Sequence, residues 1–378
     1  MKLVVQKFGG ATLSTPEKIR SVAEKIANLR KSGVSVVVVV SAMGQTTNQL
    51  IELANQVSKN PTLREMDMLM SVGERISMSL LSMALNDLGC EAISFTGSQA
   101  GILTDDDHIS ANIIDVKPIR VAPALAAGKA VVLAGFQGVS AKTKEITTLG
   151  RGGSDITAVA VAQALGAYRC EILKDVDSIF TADPNVVKDA KPIRNLSAQL
   201  LFEMTYWGAK VVNYRSSERF LKHSNENLEL YIGPAHATDN QTLQGTLISR
   251  SCALPNGAVA VNLIKEAWLV DSKHLSQMTL NGFQILTKAS DHNVWITAPS
   301  EILALHRDKL STQKTSSIIT VTFSEKNSDK SKSQIQKIEK LGPVIPSSES
   351  YPHSVHVGVL QSEAKEKLAS AHRELFNI

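Results

Sequence analysis

The stretch Gly33-Val34-Ser35-Val36-Val37-Val38-Val39-Val40-Ser41 constrains the fold more than any other part of this chain. Its apolar residues do not alternate with polar ones, so the strand they form is covered on both faces. Strands of that kind belong to parallel sheets flanked by helices. Leu3-Val4-Val5, Ala130–Ala134 and Cys170–Leu173 read the same way. Between the first two runs, Thr15 is a candidate N-cap, Pro16 fits the first turn and Gly33 follows the last, which bounds an amphipathic helix. A second helix is expected from about Leu63 to Leu88, closing at Gly89, with its methionines as core filler. A third follows Gly152-Gly153 and ends at Leu165-Gly166. The alternation predicts an α/β domain, a mostly parallel sheet sandwiched by helices, reaching to residue 248.

The last third reads differently. Val259–Val270, Asn293–Thr297, Ser317–Phe323 and Val355–Leu360 are expected strands. Ser300–Leu310, Asp329–Leu341 and Ser362–Phe376 are expected helices. They compose two small α+β modules of about 60 residues each, over 258–378, with a hinge region between Gly245 and Gly257 around Pro255. Two or three domains also suit a chain of 378 residues.

Composition serves mainly to exclude. With 43% hydrophobic and 20% charged residues the chain is neither disordered nor collagenous. A net charge of +4 and 4% aromatics give no platform for nucleic acid, and none is expected as a partner. The longest apolar run, Val34 to Val40, falls far short of the ~20 residues that span a bilayer, so no membrane is expected either. Cys90, Cys170 and Cys252 match no zinc spacing, and the opening MKLVVQKFGG lacks the pattern of a secretory leader. A cytoplasmic protein is the expectation.

Four glycine-containing clusters carry the chemistry, three of them at or beyond strand ends, where open α/β sheets bind ligands. Lys7-Phe8-Gly9-Gly10 offers backbone N–H groups and a point charge to phosphate, although Gly-Gly after a strand serves equally as a plain turn. Ser41-Ala42-Met43-Gly44-Gln45-Thr46-Thr47-Asn48 is a donor-rich loop for carboxylate or phosphate, or simply a polar connection. Gly73-Glu74-Arg75 interrupts an apolar helix, either to leave room beside a ligand or as a solvated charge pair. Thr147-Thr148-Leu149-Gly150-Arg151-Gly152-Gly153-Ser154-Asp155 is the strongest, since it joins free N–H groups, a helix N-terminus and an Arg fork at one point. No GxxxxGK[ST] or GxGxxG occurs, which disfavours P-loop and Rossmann nucleotide sites.

In order along the chain, KFGG, VVVSAMGQTTN, GERIS, TGSQAGI, GFQG, TTLGRGGSD, DVDSIFTADPNVV and GAKV resemble the successive motifs of the aspartokinase branch of the amino acid kinase family. They cover residues 2 to about 248, and the last third resembles more faintly the paired ACT regulatory modules of that branch. The resemblance implies the amino acid kinase fold and transfer of the ATP γ-phosphate to the side-chain carboxylate of L-aspartate, the step that opens lysine, threonine and methionine biosynthesis. It implies Lys7 and Asp155 as catalytic residues, with Ser41, Thr47, Glu74, Arg151 and Ser154 on the acceptor. Lys7, Gly9, Gly10, Lys174, Asp175, Phe180 and Lys210 would face the nucleotide. Mg²⁺ would ride on the phosphates of ATP without protein metal ligands. A homodimer through the ACT-like region is implied as well.

The chain departs from the family pattern on the nucleotide side. Thr-Asp-Val-Asp-Gly has become Lys174-Asp175-Val176-Asp177-Ser178, the usual Arg after Asp-Pro is Asn185, and His-Pro is replaced by Asn213-Tyr214. Lys174 is expected to supply the positive charge that Asn185 lacks. The second ACT-like module carries Ser324-Glu325-Lys326-Asn327-Ser328-Asp329-Lys330 where an effector loop normally holds Gly, and the first retains only Asp271-Ser272-Lys273-His274 in place of a helix, so inhibition by lysine or threonine is expected to be weak or absent. These departures leave two other readings open: a non-catalytic regulatory or binding subunit, and a kinase for another amino acid carboxylate.

Overall fold

The valine run forms a wholly buried strand, and its neighbours set the architecture. The computed structural model describes residues 2–223, 227–235, 244–250, 252–254, 256–271, 284–288, 293–298, 314–346 and 351–377. They divide into two compact units, 1–178 with 215–249, and 179–214 with 250–378.

In the first unit the strands are β1 (Leu3–Phe8), β2 (Ser35–Val40), β3 (Ala92–Phe95), β4 (Ile102–Thr104), β5 (Ile113–Val116), β6 (Ala130–Ala134), β7 (Gln137–Ser140), β8 (Ile146–Thr148), β9 (Arg169–Lys174), β10 (Glu229–Pro234) and β11 (Thr246–Ser249). The main sheet runs β11-β10-β9-β1-β2-β6-β3. Every neighbouring pair in it is parallel except β10 with β11. A smaller sheet has the order β5-β4-β7-β8.

The helices are α1 (Pro16–Lys31), α2 (Thr46–Val57), α3 (Leu63–Met70), α4 (Val72–Asp87), α5 (Val121–Ala126) and α6 (Gly153–Ala164). Helix α1 starts as its sequence predicts: Thr15 Oγ1 accepts from Lys18 N at 3.4 Å, and Pro16 needs no N–H partner. Its apolar residues Ile19, Val22, Ala23, Ile26 and Ala27 recur at helical spacing and join Met78, Leu81 and Leu85 of α4 against Val36, Val38 and Val40 of β2. Helix α6 lies against β1, β2 and β9. The expected helix over 63–88 is two helices meeting at Ser71, whose hydroxyl donates to Met68 O. By length and composition Leu63–Asp87 could cross a membrane, yet Leu81 and Leu85 are fully buried in this core. Its methionines are core filler only in part: Met70 and Met78 are buried, whereas Met83 is 61% exposed.

In the second unit Ile179–Phe180 pairs antiparallel with Pro192–Ile193, and Ser197 caps the helix Ala198–Tyr206. A six-stranded sheet runs Gln284–Lys288, Asn293–Thr297, Ala258–Asp271, Lys314–Phe323, Ser354–Val359, Val344–Ile345, all antiparallel. Helices Asp329–Ile338 and Ala364–Phe376 bury Ile338, Leu368, Ala371 and Leu375 with Val261, Ile319, Val321 and Val357. The strands expected in the two small modules therefore share one sheet, joined where Ala258–Asp271 pairs with Lys314–Phe323. The helix expected at 300–310, the stretch 272–274 and Pro255 lie outside the described residues.

Candidate active site

Parallel pairing brings three strand ends side by side. Phe8 of β1 is level with Val40 of β2 and with Leu173 of β9, so Gly9-Gly10, Ser41–Gly44 and Lys174 emerge next to one another. The loop after β1 is tied to the loop after β2 by Gly44 N to Gly10 O at 3.0 Å. Helix α6 points its N-terminus here, opened by Gly152 in left-handed backbone (φ 71).

Asp155, in the first turn of α6, is buried at 3% exposure. Its Oδ1 lies 2.6 Å from Lys7 Nζ and its Oδ2 3.5 Å from Lys174 Nζ. Burial alone pushes this carboxyl up, but Lys174 and Lys7 override it and hold it below the usual carboxylate range. Burial lowers the Lys174 ammonium despite Asp155, helped by the repulsion of Lys7. One carboxylate thus serves two cations, and the set keeps a surplus positive charge in a place shielded from water. Such a surplus suits phosphate.

Glu74, in the first turn of α4, is the second buried charge. Its Oε1 accepts from Ala42 N at 3.0 Å, while its Oε2 is buried without a hydrogen-bond partner among the described residues. Burial raises its carboxyl from 4.5 to about 7, opposed by the Ala42 N–H, its own backbone N–H and the charge of Lys7. The preceding Gly73 does not make room for a ligand. A Cβ there would meet the Ala42 side chain at 2.7 Å, so glycine allows α4 to close on the loop after β2. Ser77 Oγ fixes the same loop by donating to Ser41 O at 2.7 Å.

The structure therefore brings Lys7, Asp155, Lys174, Glu74, Ser41, Gly9 and Gly10 to one group of adjoining loops and helix starts. Ser154 is buried beside Asp155, and Thr47 is half-buried in the first turn of α2. The loop expected over 41–48 is shorter than the sequence suggests, because α2 begins at Thr46. Arg151 is exposed in the turn before α6, and Asp175 is exposed after β9. Phe180 and Lys210 belong to the second unit; Phe180 pairs with Pro192, and Lys210 is exposed beyond the helix Ala198–Tyr206. One contributor was not foreseen. Arg215 donates to Leu149 O at 2.8 Å and to Ala111 O at 2.6 Å, bracing the Arg151 turn from 66 residues away in sequence and its neighbouring stretch from 104, spans that no local motif signals. Among the described residues no group of three or more His, Cys, Asp or Glu side chains could hold a metal ion.

Residues 2–228 match the amino acid kinase family. The chain belongs to that family. Within it, the chain is 54% identical over 218 residues to an aspartokinase of Corynebacterium efficiens, a match covering 58% of this chain and 52% of the relative. It is 50% identical over 251 residues to an aspartokinase of Corynebacterium glutamicum, covering 66% and 58%. The chain thus spans about half the length of the curated relatives it matches. Among solved structures, aspartokinase III of E. coli in complex with aspartate and ADP superposes with a TM-score of 0.79 over 99% of this chain and 100% of that one; at 21% identity, this likeness is one of fold.

The buried Glu74 yields a pH signature. Because the folded carboxyl titrates near 7 and the unfolded one near 4.5, the folded state binds the proton more tightly. Glu74 therefore lowers stability progressively as pH rises from about 4.5 to about 7, and no further above that. Relative to Glu74→Gln, the wild type should lose urea-midpoint stability between about pH 5 and pH 7.5. A difference that stays constant across that range contradicts the assignment.

Proposed function

We propose that this chain is an aspartokinase, which transfers the γ-phosphoryl group of ATP to the side-chain carboxylate of L-aspartate in the route to lysine, threonine and methionine. The observation that carries the reading is the Lys7–Asp155–Lys174 set at the adjoining ends of β1 and β9. The names of the relatives support it. A carboxylate acceptor is already a nucleophile, so the chemistry needs alignment and charge neutralisation rather than a base. Asp155, held ionised between two ammonium groups, orients Lys7 and Lys174 and is not called on to take a proton.

On the acceptor side Arg151 grips a carboxylate of aspartate in a fork, and the unpartnered Oε2 of Glu74 receives its ammonium. Ser41, Thr47 and Ser154 add hydrogen bonds. On the nucleotide side Gly9 and Gly10 offer backbone N–H groups, and Lys174, Asp175, Phe180 and Lys210 contact ATP. Mg²⁺ accompanies the nucleotide, held by its phosphates and water. The catalytic domain spans 1–248, and the ACT-like region over 258–378 mediates a homodimer. Three unpaired cysteines, Cys90, Cys170 and Cys252, suit a cytoplasmic setting.

In this reading Lys174, 3.5 Å from Asp155, supplies at the phosphate end the positive charge that Asn185 lacks. ATP turnover should depend on aspartate and not on glutamate or N-acetylglutamate, and Lys174→Ala should raise KM for ATP about tenfold with KM for aspartate unchanged. Turnover with none of these acceptors supports instead a regulatory or binding subunit; an unchanged KM for ATP removes Lys174 from the nucleotide site.

The effector loop of the second module is occupied by its own bonds. Ser328 caps the helix Asp329–Ile338, and Ser328 Oγ and Ser331 Oγ both donate to Glu325 O. Millimolar lysine or threonine should therefore inhibit weakly or not at all in a steady-state assay. Clear inhibition by either contradicts this reading.

A further inference from the structure

Two bulky residues adopt left-handed backbone beside the turn that carries Arg151: Ile109 (φ 60) and Phe136 (φ 67). For a β-branched residue this conformation is a genuine outlier, and such strain persists only where the surroundings enforce it. At Ile109 the enforcing group is Asp67 of α3. Its carboxylate is fully buried and accepts from Ile109 N at 3.0 Å (Oδ1) and 3.2 Å (Oδ2). It also accepts from Thr148 Oγ1 at 2.5 Å and pairs with His108 Nδ1 at 2.6 Å. Nothing in the phosphoryl-transfer scheme uses this carboxylate, yet its partners lie on both walls of one turn.

Thr148 ends β8 and leads directly into Leu149-Gly150-Arg151. The wall opposite is the His108–Ala111 stretch, joined to the first by Ala111 N to Thr148 O at 2.9 Å. A Cβ on Gly150 would meet the Ile109 carbonyl at 3.0 Å, so the left-handed Ile109 sets how closely the two walls approach. Phe136 completes the frame: its carbonyl accepts from Leu149 N at 2.8 Å, and its ring would lie 2.9 Å from a Cβ on Gly153.

The geometry points to Asp67 as a positioning residue for the acceptor site: by holding Thr148, Ile109 and His108 together, it presents the Gly150-Arg151 turn in the one arrangement that receives the carboxylate of the acceptor amino acid. This rests on Arg151 acting as the carboxylate fork proposed above. Asp67 touches neither substrate nor nucleotide and acts through the turn, so its loss should weaken acceptor capture while leaving nucleotide capture intact.

The test pairs kinetics with hydrogen exchange on the full chain. Asp67→Asn keeps the side-chain shape but places an amide N–H₂ in a pocket lined by donors. It should raise KM for aspartate about tenfold and leave KM for ATP within about twofold. Exchange should accelerate in the peptides covering 105–112 and 145–153, with the other peptides unchanged. Should Asp67→Asn fail to fold, Thr148→Val removes only the hydroxyl and should give the same split, and Thr148→Ser should restore wild-type behaviour. A parallel rise in both KM values, or unaltered exchange at 145–153, overturns the proposal. A wild type that does not phosphorylate aspartate refutes the functional reading instead, and exchange at 145–153 then decides the role of Asp67 alone.

Discussion

The first unit is organised around one buried carboxylate between two ammonium groups. Lys7 and Lys174 would be expensive to bury without Asp155 between them, because an unpaired charge out of water costs several kcal/mol. The three are supplied by separate elements: Lys7 by β1, Lys174 by the end of β9, Asp155 by the start of α6. Their meeting requires β1 and β9 to be parallel neighbours in the register that pairs Phe8 with Leu173, and α6 to lie across them. A one-residue slip of either strand would turn its lysine to the other face. The positive end of the α6 dipole adds to the surplus positive charge of this set.

Around that anchor the backbone is drawn in by small residues and fastened by side chains. Gly73 lets α4 touch Ala42, and Glu74 and Ser77 then bind the loop after β2 from the same helix face. On the other side Arg215 braces the turn before α6 through two carbonyl oxygens. Donors held in place in this way are preorganised, so binding at such a group of loops needs little reorganisation.

Much of this was legible in the sequence, and for identifiable reasons. An unbroken valine run can only be a strand covered on both faces; Thr15-Pro16 and Gly33 bound a helix by local chemistry; and glycine clusters after strands mark where ligands approach. The motifs around Lys7, Glu74 and Asp155 named residues that the structure gathers at adjoining strand ends and helix starts. Illegible were features fixed by distant partners. Gly73 reads as space for a ligand until Ala42 is seen beside it. The break falls at Ser71, two residues before the glycine and with no proline to mark it, and the sharing of one sheet by the two small modules depends on pairing between strands some fifty residues apart. Residues 179–214 read as a continuation of the first domain, yet their contacts place them in the second compact unit.

The claim that this charge set serves phosphoryl transfer to a carboxylate is tested most directly by trapping the product. An acyl phosphate reacts with hydroxylamine to give a hydroxamate, which iron(III) reveals. Wild-type protein with ATP, Mg²⁺, aspartate and hydroxylamine should give aspartate hydroxamate, and Lys7→Met, verified as folded by circular dichroism, should reduce its rate by about 100-fold or more. Hydroxamate formed equally well without Lys7, or ATP consumed with no hydroxamate at all, would contradict the account.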